Sequence, residues 1–148
     1  MRLALVLLAF PLLARTLVGQ DRWERQVEER MSGAIAAVEP AAHRQVVRRV
    51  GMLNTAEGAL LRTTLLAGHS YAILAVCDDD CSRLELTLLK PSDSEIAKER
   101  NGESLPFLHF TSDTTMTYRV RVIMDGCRWN PCRYAVAVVP LSKGVASR

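Results

Sequence analysis

The stretch from Tyr71 to Leu88, YAILAVCDDDCSRLELTL, decides the fold. It contains two runs in which apolar residues recur at every second position, and a close cysteine pair, Cys77 and Cys81, separates them. Alternation of this kind is typical of β-strands that bury one face. A second close pair, Cys127 and Cys132, separates two further runs of the same type. The sequence therefore predicts a β-domain in which two loops between strands each carry a cysteine pair.

Further strands are expected on both sides of this stretch. A turn at Ala67-Gly68-His69-Ser70 introduces the first run, and the polar residues 91 to 104 predict a loop in which a short strand near Ile96 is left open. The expected strands cover residues 59–66, 71–77, 84–88, 106–110, 118–124 and 134–139. Six strands at this spacing predict an antiparallel β-sandwich with a jelly-roll-like architecture.

The chain before these strands has a helical pattern. From Asp21 to Val38 the apolar residues recur at spacings of four and three, which predicts an amphipathic helix ended by Pro40. A second helix is expected from Ala41 to Leu53. The basic residues that crowd it have two interpretations, a solvated face near a helix C-terminus or a patch for an anionic ligand. They are Arg44, Arg48 and Arg49.

The first residues resemble an export signal. Met1-Arg2 is followed by the apolar run Leu3 to Ala14, which is too short to span a bilayer and is interrupted by Pro11. Cleavage is expected after Ala14 or, preferably, after Gly19. The expected organisation is a signal peptide at 1–19, a helical region at 20–56, the β-sandwich at 57–142 and a flexible tail at 143–148. The protein is thus expected to be periplasmic or secreted, with no membrane span after signal removal.

The charge of the mature chain argues against a nucleic-acid partner. The whole chain has 19 basic and 16 acidic side chains, and removal of residues 1–19 takes away Arg2 and Arg15 and no acid, which leaves 17 against 16. Nucleic-acid-binding proteins usually show a clustered basic footprint on a basic domain. A nearly neutral exported domain does not fit that class.

In an oxidising compartment four cysteines in two close pairs predict two disulfides. Four cysteines allow three connectivities, and we expect local pairing of Cys77 with Cys81 and of Cys127 with Cys132. If consecutive strands alternate in direction, the two loops lie at opposite ends of the sandwich, beyond the disulfide reach of about 7 Å between Cα atoms. The cysteine spacings also miss the usual zinc pattern, and no metal is expected.

The two cysteine loops carry the candidate binding residues. Asp78, Asp79 and Asp80 allow two interpretations, a calcium site or a solvated acidic turn. Trp129 is the candidate ligand-binding residue, because an aromatic side chain on a closed loop offers apolar area at little entropic cost. The alternative, in which Trp129 folds back over the end of the sandwich, stays open.

No catalytic motif is present in the sequence. The three histidines, His43, His69 and His109, fall in an expected helix, turn and strand, without a Gly-x-Ser-x-Gly or His-Glu-x-x-His pattern to organise them. A redox enzyme would normally carry Cys-x-x-Cys, which is also lacking. The sequence therefore predicts a protein that is not an enzyme and has no cofactor.

Residues 57 to about 140 resemble the bacterial pre-peptidase C-terminal (PPC) domain. The likeness rests on the order of four motifs: Leu66 to Tyr71, the Cys77–Cys81 bracket, Leu84 to Leu88, and Tyr118-Arg-Val-Arg-Val122. In the strand where that family has two aspartates this chain has Arg83 and Glu85, so the resemblance does not imply a cation site here. It implies a jelly-roll-like accessory domain with a binding or structural role.

These observations favour a non-catalytic exported β-sandwich module with a binding or accessory role in the cell envelope. The alternative is a protein-interaction subunit, an inhibitor or chaperone-like partner of another exported protein, that docks through the helix at 21–38. The two differ in whether Trp23, Val27 and Met31 pack on the sandwich or stand free. A hydrolase would require a histidine, a carboxylate and a serine to share one pocket.

Overall fold

We analysed a computed structural model of the chain, which describes residues 17–41, 46–99 and 104–142. The expected signal peptide up to residue 16, His43, Arg44 and the expected tail at 143–148 lie outside the described residues. The elements are α1 (Leu17–Val38), β1 (Val47–Leu53), β2 (Gly58–Leu65), β3 (Ser70–Cys77), β4 (Cys81–Leu89), β5 (Glu95–Glu99), β6 (Phe107–Thr111), β7 (Met116–Cys127) and β8 (Cys132–Pro140).

The eight strands form two antiparallel sheets packed face to face. Sheet A has the order β1-β8-β3-β6 and sheet B the order β2-β7-β4-β5. The inward side chains of both sheets make one apolar core, which includes Ile73 and Val136 from sheet A and Leu86 and Val122 from sheet B. The expected antiparallel sandwich is therefore confirmed at the level of two packed four-stranded sheets.

The second expected helix is wrong. Residues 47–53 form strand β1, which pairs with β8 along its whole length, from Val47 opposite Val138 to Leu53 opposite Cys132. The spacing of Val46, Val50 and Leu53 fits a helical face, but pairing with β8 outweighs this local preference. Gly51 fits the strand, since a Cβ there would lie 3.0 Å from the ring of the buried Tyr134.

Helix α1 packs on the outer face of sheet A, which we call the helix-covered face. Val27 and Met31 are fully buried there against apolar residues of β3 and β8. These residues include Ala72, Ala135 and Ala137. Small side chains let the helix backbone approach closely, so β3 and β8 are buried on both faces. Within the described residues α1 is the only helix, and it is not apolar enough to cross a membrane.

Glu39, just after the helix, fixes its far end. Its carboxylate accepts a hydrogen bond from the Ser142 backbone N–H at 2.7 Å, and this bond lowers the pKa of Glu39 below its ordinary value. The outer face of sheet B, which we call the open face, is covered by no element in the described part of the chain. Long charged side chains lie on it instead, including Arg62 from β2 and Arg121 from β7.

Candidate functional site at the disulfide end

The two disulfides lie side by side. Cys77 bonds to Cys81 and Cys127 bonds to Cys132, each with 5.8 Å between Cα atoms. Cys81 and Cys127 are register partners in the β4–β7 ladder, and Cys77 lies beside Tyr134, two residues after Cys132. We call this end of the sandwich, with the turns 54–57, 78–80 and 128–131, the disulfide end.

The expectation that the two loops lie at opposite ends is therefore wrong, although the local pairing is what the structure contains. The prediction of opposite ends counted residues 91–104 as a loop without a strand. They contain β5 (Glu95–Glu99), and each added strand reverses the direction of every strand after it. With β5 counted, β3 and β7 run the same way and end together.

Hydrogen bonds on two sides hold the loop between Cys127 and Cys132. On one side the Thr55 backbone N–H donates to Asn130 Oδ1 at 2.9 Å. On the other side the Arg128 N–H donates to the Asp80 carbonyl at 2.7 Å. The loop is thus closed by its own disulfide and tied to both neighbouring turns, which limits the conformations open to it.

Trp129 lies at the tip of this loop and is 68% exposed. The sequence left open whether Trp129 projects from the loop or folds back over the sandwich. In the structure its indole projects from the loop. A large aromatic surface on a rigid loop loses little conformational entropy on contact with a partner. The loop thus holds this aromatic surface in a fixed, accessible position.

The aspartates of the other loop have three different roles. Asp78 is buried and accepts a hydrogen bond from the Arg133 N–H at 2.7 Å, and burial raises its pKa. Asp79 contacts Gln26 and Arg30 of α1, and these contacts lower its pKa. The backbone carbonyl of Asp80 accepts a hydrogen bond from the Arg128 N–H. In the described ranges no three histidine, cysteine or acidic side chains are grouped to hold a metal ion.

Residues 22–30 of α1 also lie at the disulfide end. Arg30 Nη1 donates to the Cys77 carbonyl at 2.6 Å, and Glu24 pairs with Arg133 at 3.5 Å. Trp23 is partly exposed beside Glu24, with the Arg22 guanidinium 5.4 Å from its ring centre. Sequence patterns alone do not place Trp23 at this end, because its position depends on where the helix packs.

The histidines are not brought into a catalytic arrangement where the structure describes them. His69 lies in the β2–β3 turn, and its Nδ1 is 3.0 Å from the Ala67 carbonyl. His109 is exposed on β6, and His43 is outside the described residues. In the described part of the chain neither ring hydrogen-bonds to a carboxylate or a serine hydroxyl.

Comparison with known proteins shows a similarity of fold to two solved structures. No protein-family model matches the chain, and no curated protein matches it. Among solved structures, the chain is similar to PliG of Aeromonas hydrophila, a periplasmic inhibitor of g-type lysozyme. The TM-score is 0.50 at 11% identity, over 68% of this chain and 89% of that one.

A second similar structure is the pre-peptidase C-terminal domain of collagenase from Bacillus anthracis. Its TM-score is 0.50 at 13% identity, over 62% of this chain and 87% of that domain. Identities this low show the fold alone. The resemblance to PPC domains in the sequence is thus supported, weakly, as a likeness of fold.

Proposed function

We propose that this protein is an exported, non-catalytic β-sandwich module, periplasmic or secreted, that binds an envelope component or another exported protein through its disulfide end. It uses no cofactor and no nucleic acid. Two disulfides in a chain of 148 residues support an oxidising compartment. The fold that it shares with a periplasmic protein and with a PPC domain supports an exported accessory role.

The observation that carries the proposal is the exposure of Trp129 on a fixed loop. An indole that is 68% exposed offers a large apolar surface that contact with a partner would remove from water. Tryptophan is also among the side chains that contribute most to protein interfaces. The hydrogen bonds from Thr55 and to Asp80 keep the loop in place before a partner arrives.

A second candidate function is inhibition of another exported protein. The fold shared with PliG favours it, since that protein inhibits g-type lysozyme. Docking through the apolar face of α1 is not favoured, because Val27 and Met31 are fully buried against sheet A. An inhibitor built on this chain would instead use the disulfide end, with Trp129 and the partly exposed Trp23.

The test is affinity capture from a cell-envelope extract with oxidised protein beginning at Gln20, and with its Trp129→Ala variant. Leu66→Ala is the matched control, because Leu66 is 48% exposed in the turn at the other end of the sandwich. We expect one envelope component, retained by the parent and by Leu66→Ala and lost with Trp129→Ala. A loss of roughly tenfold or more in affinity is typical of a central aromatic contact.

Equal retention by both variants, or no component above background, would reject binding through the disulfide end. The inhibitor candidate has a separate arm, the rate of cell-wall lysis by a g-type lysozyme with and without the protein. Slower lysis that requires Trp129 supports inhibition. Unchanged lysis together with a retained envelope component would reject inhibition of g-type lysozyme and support the binding module.

A further inference from the structure

Three arginines form a cluster on the open face, far from the proposed binding end. Arg62 of β2 is the direct register partner of Arg119 of β7, and Arg121 lies two residues further along the same face. Side chains directly opposite each other on one sheet face have Cβ atoms about 5 Å apart. The arginine cluster is therefore three guanidinium groups on one small area of sheet B.

This arrangement of charges lowers the stability of the fold. Like charges directly opposite each other across two strands destabilise a sheet. One member is compensated, since Arg119 pairs with Asp93 and donates to the Pro91 carbonyl at 2.9 Å. Within the described residues, Arg62 and Arg121 have no carboxylate oxygen within 4.0 Å. In the described part of the chain, two positive charges therefore lie without a carboxylate partner.

Other basic side chains on the same face are paired, which sets the arginine cluster apart. Arg83 pairs with Asp125 at 2.5 Å, and Lys98 pairs with Glu85 at 2.5 Å. The Arg83–Asp125 pair lies near the disulfide end, whereas Lys98 lies in the same row of the sheet as Arg121, with Thr87 between them. Among the described residues, the basic side chains of this cluster that lack a carboxylate partner lie on the β2–β7 side of the open face.

The stems of Arg119 and Arg121 are held against the sheet. Thr87 lies on the open face between Arg121 and Lys98 and is fully buried, although no described element covers this face. The long side chains beside it must therefore lie across it. The Nε atoms of Arg119 and Arg121 are buried as well and have no hydrogen-bond partner. Stems fixed in this way present their guanidinium ends in a defined position.

We propose that the arginine cluster is a binding site for a phosphate group. Guanidinium groups form paired hydrogen bonds with phosphate oxygens, and a phosphate monoester carries a charge of about −1.5 to −2 at neutral pH. That charge matches the two uncompensated arginines. A single carboxylate would neutralise only one of them, as Asp93 does for the neighbouring Arg119. The phosphate belongs either to a lipid headgroup or to a free phosphate compound.

The first measurement is the affinity of oxidised protein for pyrophosphate, by calorimetry at low ionic strength. We expect the double variant Arg62→Gln with Arg121→Gln to bind about tenfold more weakly or worse. The matched control is Arg25→Gln, which removes an exposed charge from α1 on the opposite side of the sandwich. It should leave the affinity within about twofold, because a distant charge is screened by salt.

Denaturant unfolding without ligand separates a lost site from a damaged fold. The double variant should be at least as stable as the parent, since it relieves the repulsion between Arg62 and Arg119. Lower affinity at unchanged or higher stability supports the site. Absence of pyrophosphate binding by the parent, or an equal loss with Arg25→Gln, overturns it.

Vesicles distinguish the two sources of phosphate. Phosphatidylcholine vesicles with and without phosphatidic acid are compared for sedimentation of the same three proteins. Retention that needs both phosphatidic acid and the arginine cluster indicates a lipid headgroup. Pyrophosphate binding without such retention indicates a free phosphate compound.

Discussion

The outer faces of the two sheets differ in the size of their side chains. On the helix-covered face β3 and β8 present short apolar residues, of which Ala72, Ala135 and Ala137 are the smallest and Leu74 is the largest. On the open face β7 presents Arg119 and Arg121 in corresponding central positions. Both sheets contribute to the same core, so the difference lies only in what points outward.

Side-chain size explains which sheet takes the helix. Alanine leaves room for α1 to place Val27 and Met31 directly on the sheet. Arginine would keep a helix away, and its stem covers the sheet by itself, as it does beside the buried Thr87. The helix-covered face therefore depends on α1 for its burial, whereas the open face is covered by the stems of its own arginine side chains.

The largest expected effect is on the helix-covered face. Met31→Ala should lower the free energy of unfolding by about 2 to 5 kcal/mol, because it removes a fully buried side chain and leaves a cavity between helix and sheet. Leu60→Ala on the open face is the control. Leu60 is 39% exposed, so its truncation should cost no more than about 0.5 kcal/mol.

Urea unfolding of the oxidised proteins measures both changes. Similar small effects for the two variants would mean that α1 adds little to the stability of the sandwich, and the contrast between the faces would fail.

The sequence partly indicates which sheet has a covered outer face. A strand buried on both faces is expected to be apolar at every position, and residues 71–77 and 134–139 are almost continuously apolar. Residues 71–77 are expected from the sequence to bury one face, with the packing of the helix on the sandwich left open, whereas in the structure α1 covers their outer face. Residues 118–124, in contrast, alternate Val with Arg, and that strand does have one uncovered face.

What could not be read was the relation between distant segments. The helix expected at 41–53 became β1, because pairing with β8 depends on residues near 135 that no local pattern reveals. The short strand left open near Ile96 is β5, and because it was not counted in the strand directions, the two disulfides were expected at opposite ends. The arginine cluster was invisible for the same reason, since Arg62 and Arg119 meet only through the β2–β7 register.

A smaller effect is expected inside the open face. Thr87 Oγ1 is buried without a hydrogen-bond partner, which costs part of the solvation of that hydroxyl. Thr87→Val keeps the shape and removes the unpaired group, so it should raise the free energy of unfolding by about 1 kcal/mol. Thr117→Val is the control on the same face, because its exposed hydroxyl bonds to Thr64 at 3.1 Å. That variant should be neutral or slightly less stable, and a loss of stability with Thr87→Val would show that the Thr87 hydroxyl has a partner in solution.

The smallest effect is a difference in pH dependence between two neighbouring residues beside the helix-covered face. The hydrogen bond from Gln26 and the contact with Arg30 lower the pKa of Asp79 below its ordinary value of 3.8. A lowered pKa means that Asp79 stabilises the folded state above that ordinary value and that this contribution is lost as the pH falls through the folded pKa. Burial raises the pKa of Asp78, so its ionisation opposes folding, and the stability that it contributes is lost as the pH rises through its folded pKa.

The two asparagine variants should therefore behave in opposite ways. Asp79→Asn loosens the contact between α1 and the disulfide end at neutral pH, and the difference from the parent disappears in acid. Asp78→Asn keeps an oxygen for the Arg133 N–H and is at least as stable as the parent at neutral pH, because no buried charge forms. Hydrogen exchange of the α1 amides, compared with the parent at each pH, reports the first effect, and urea unfolding reports the second. If both variants loosened the helix equally at neutral pH, the contact would depend on the shape of the loop and not on the charge of Asp79.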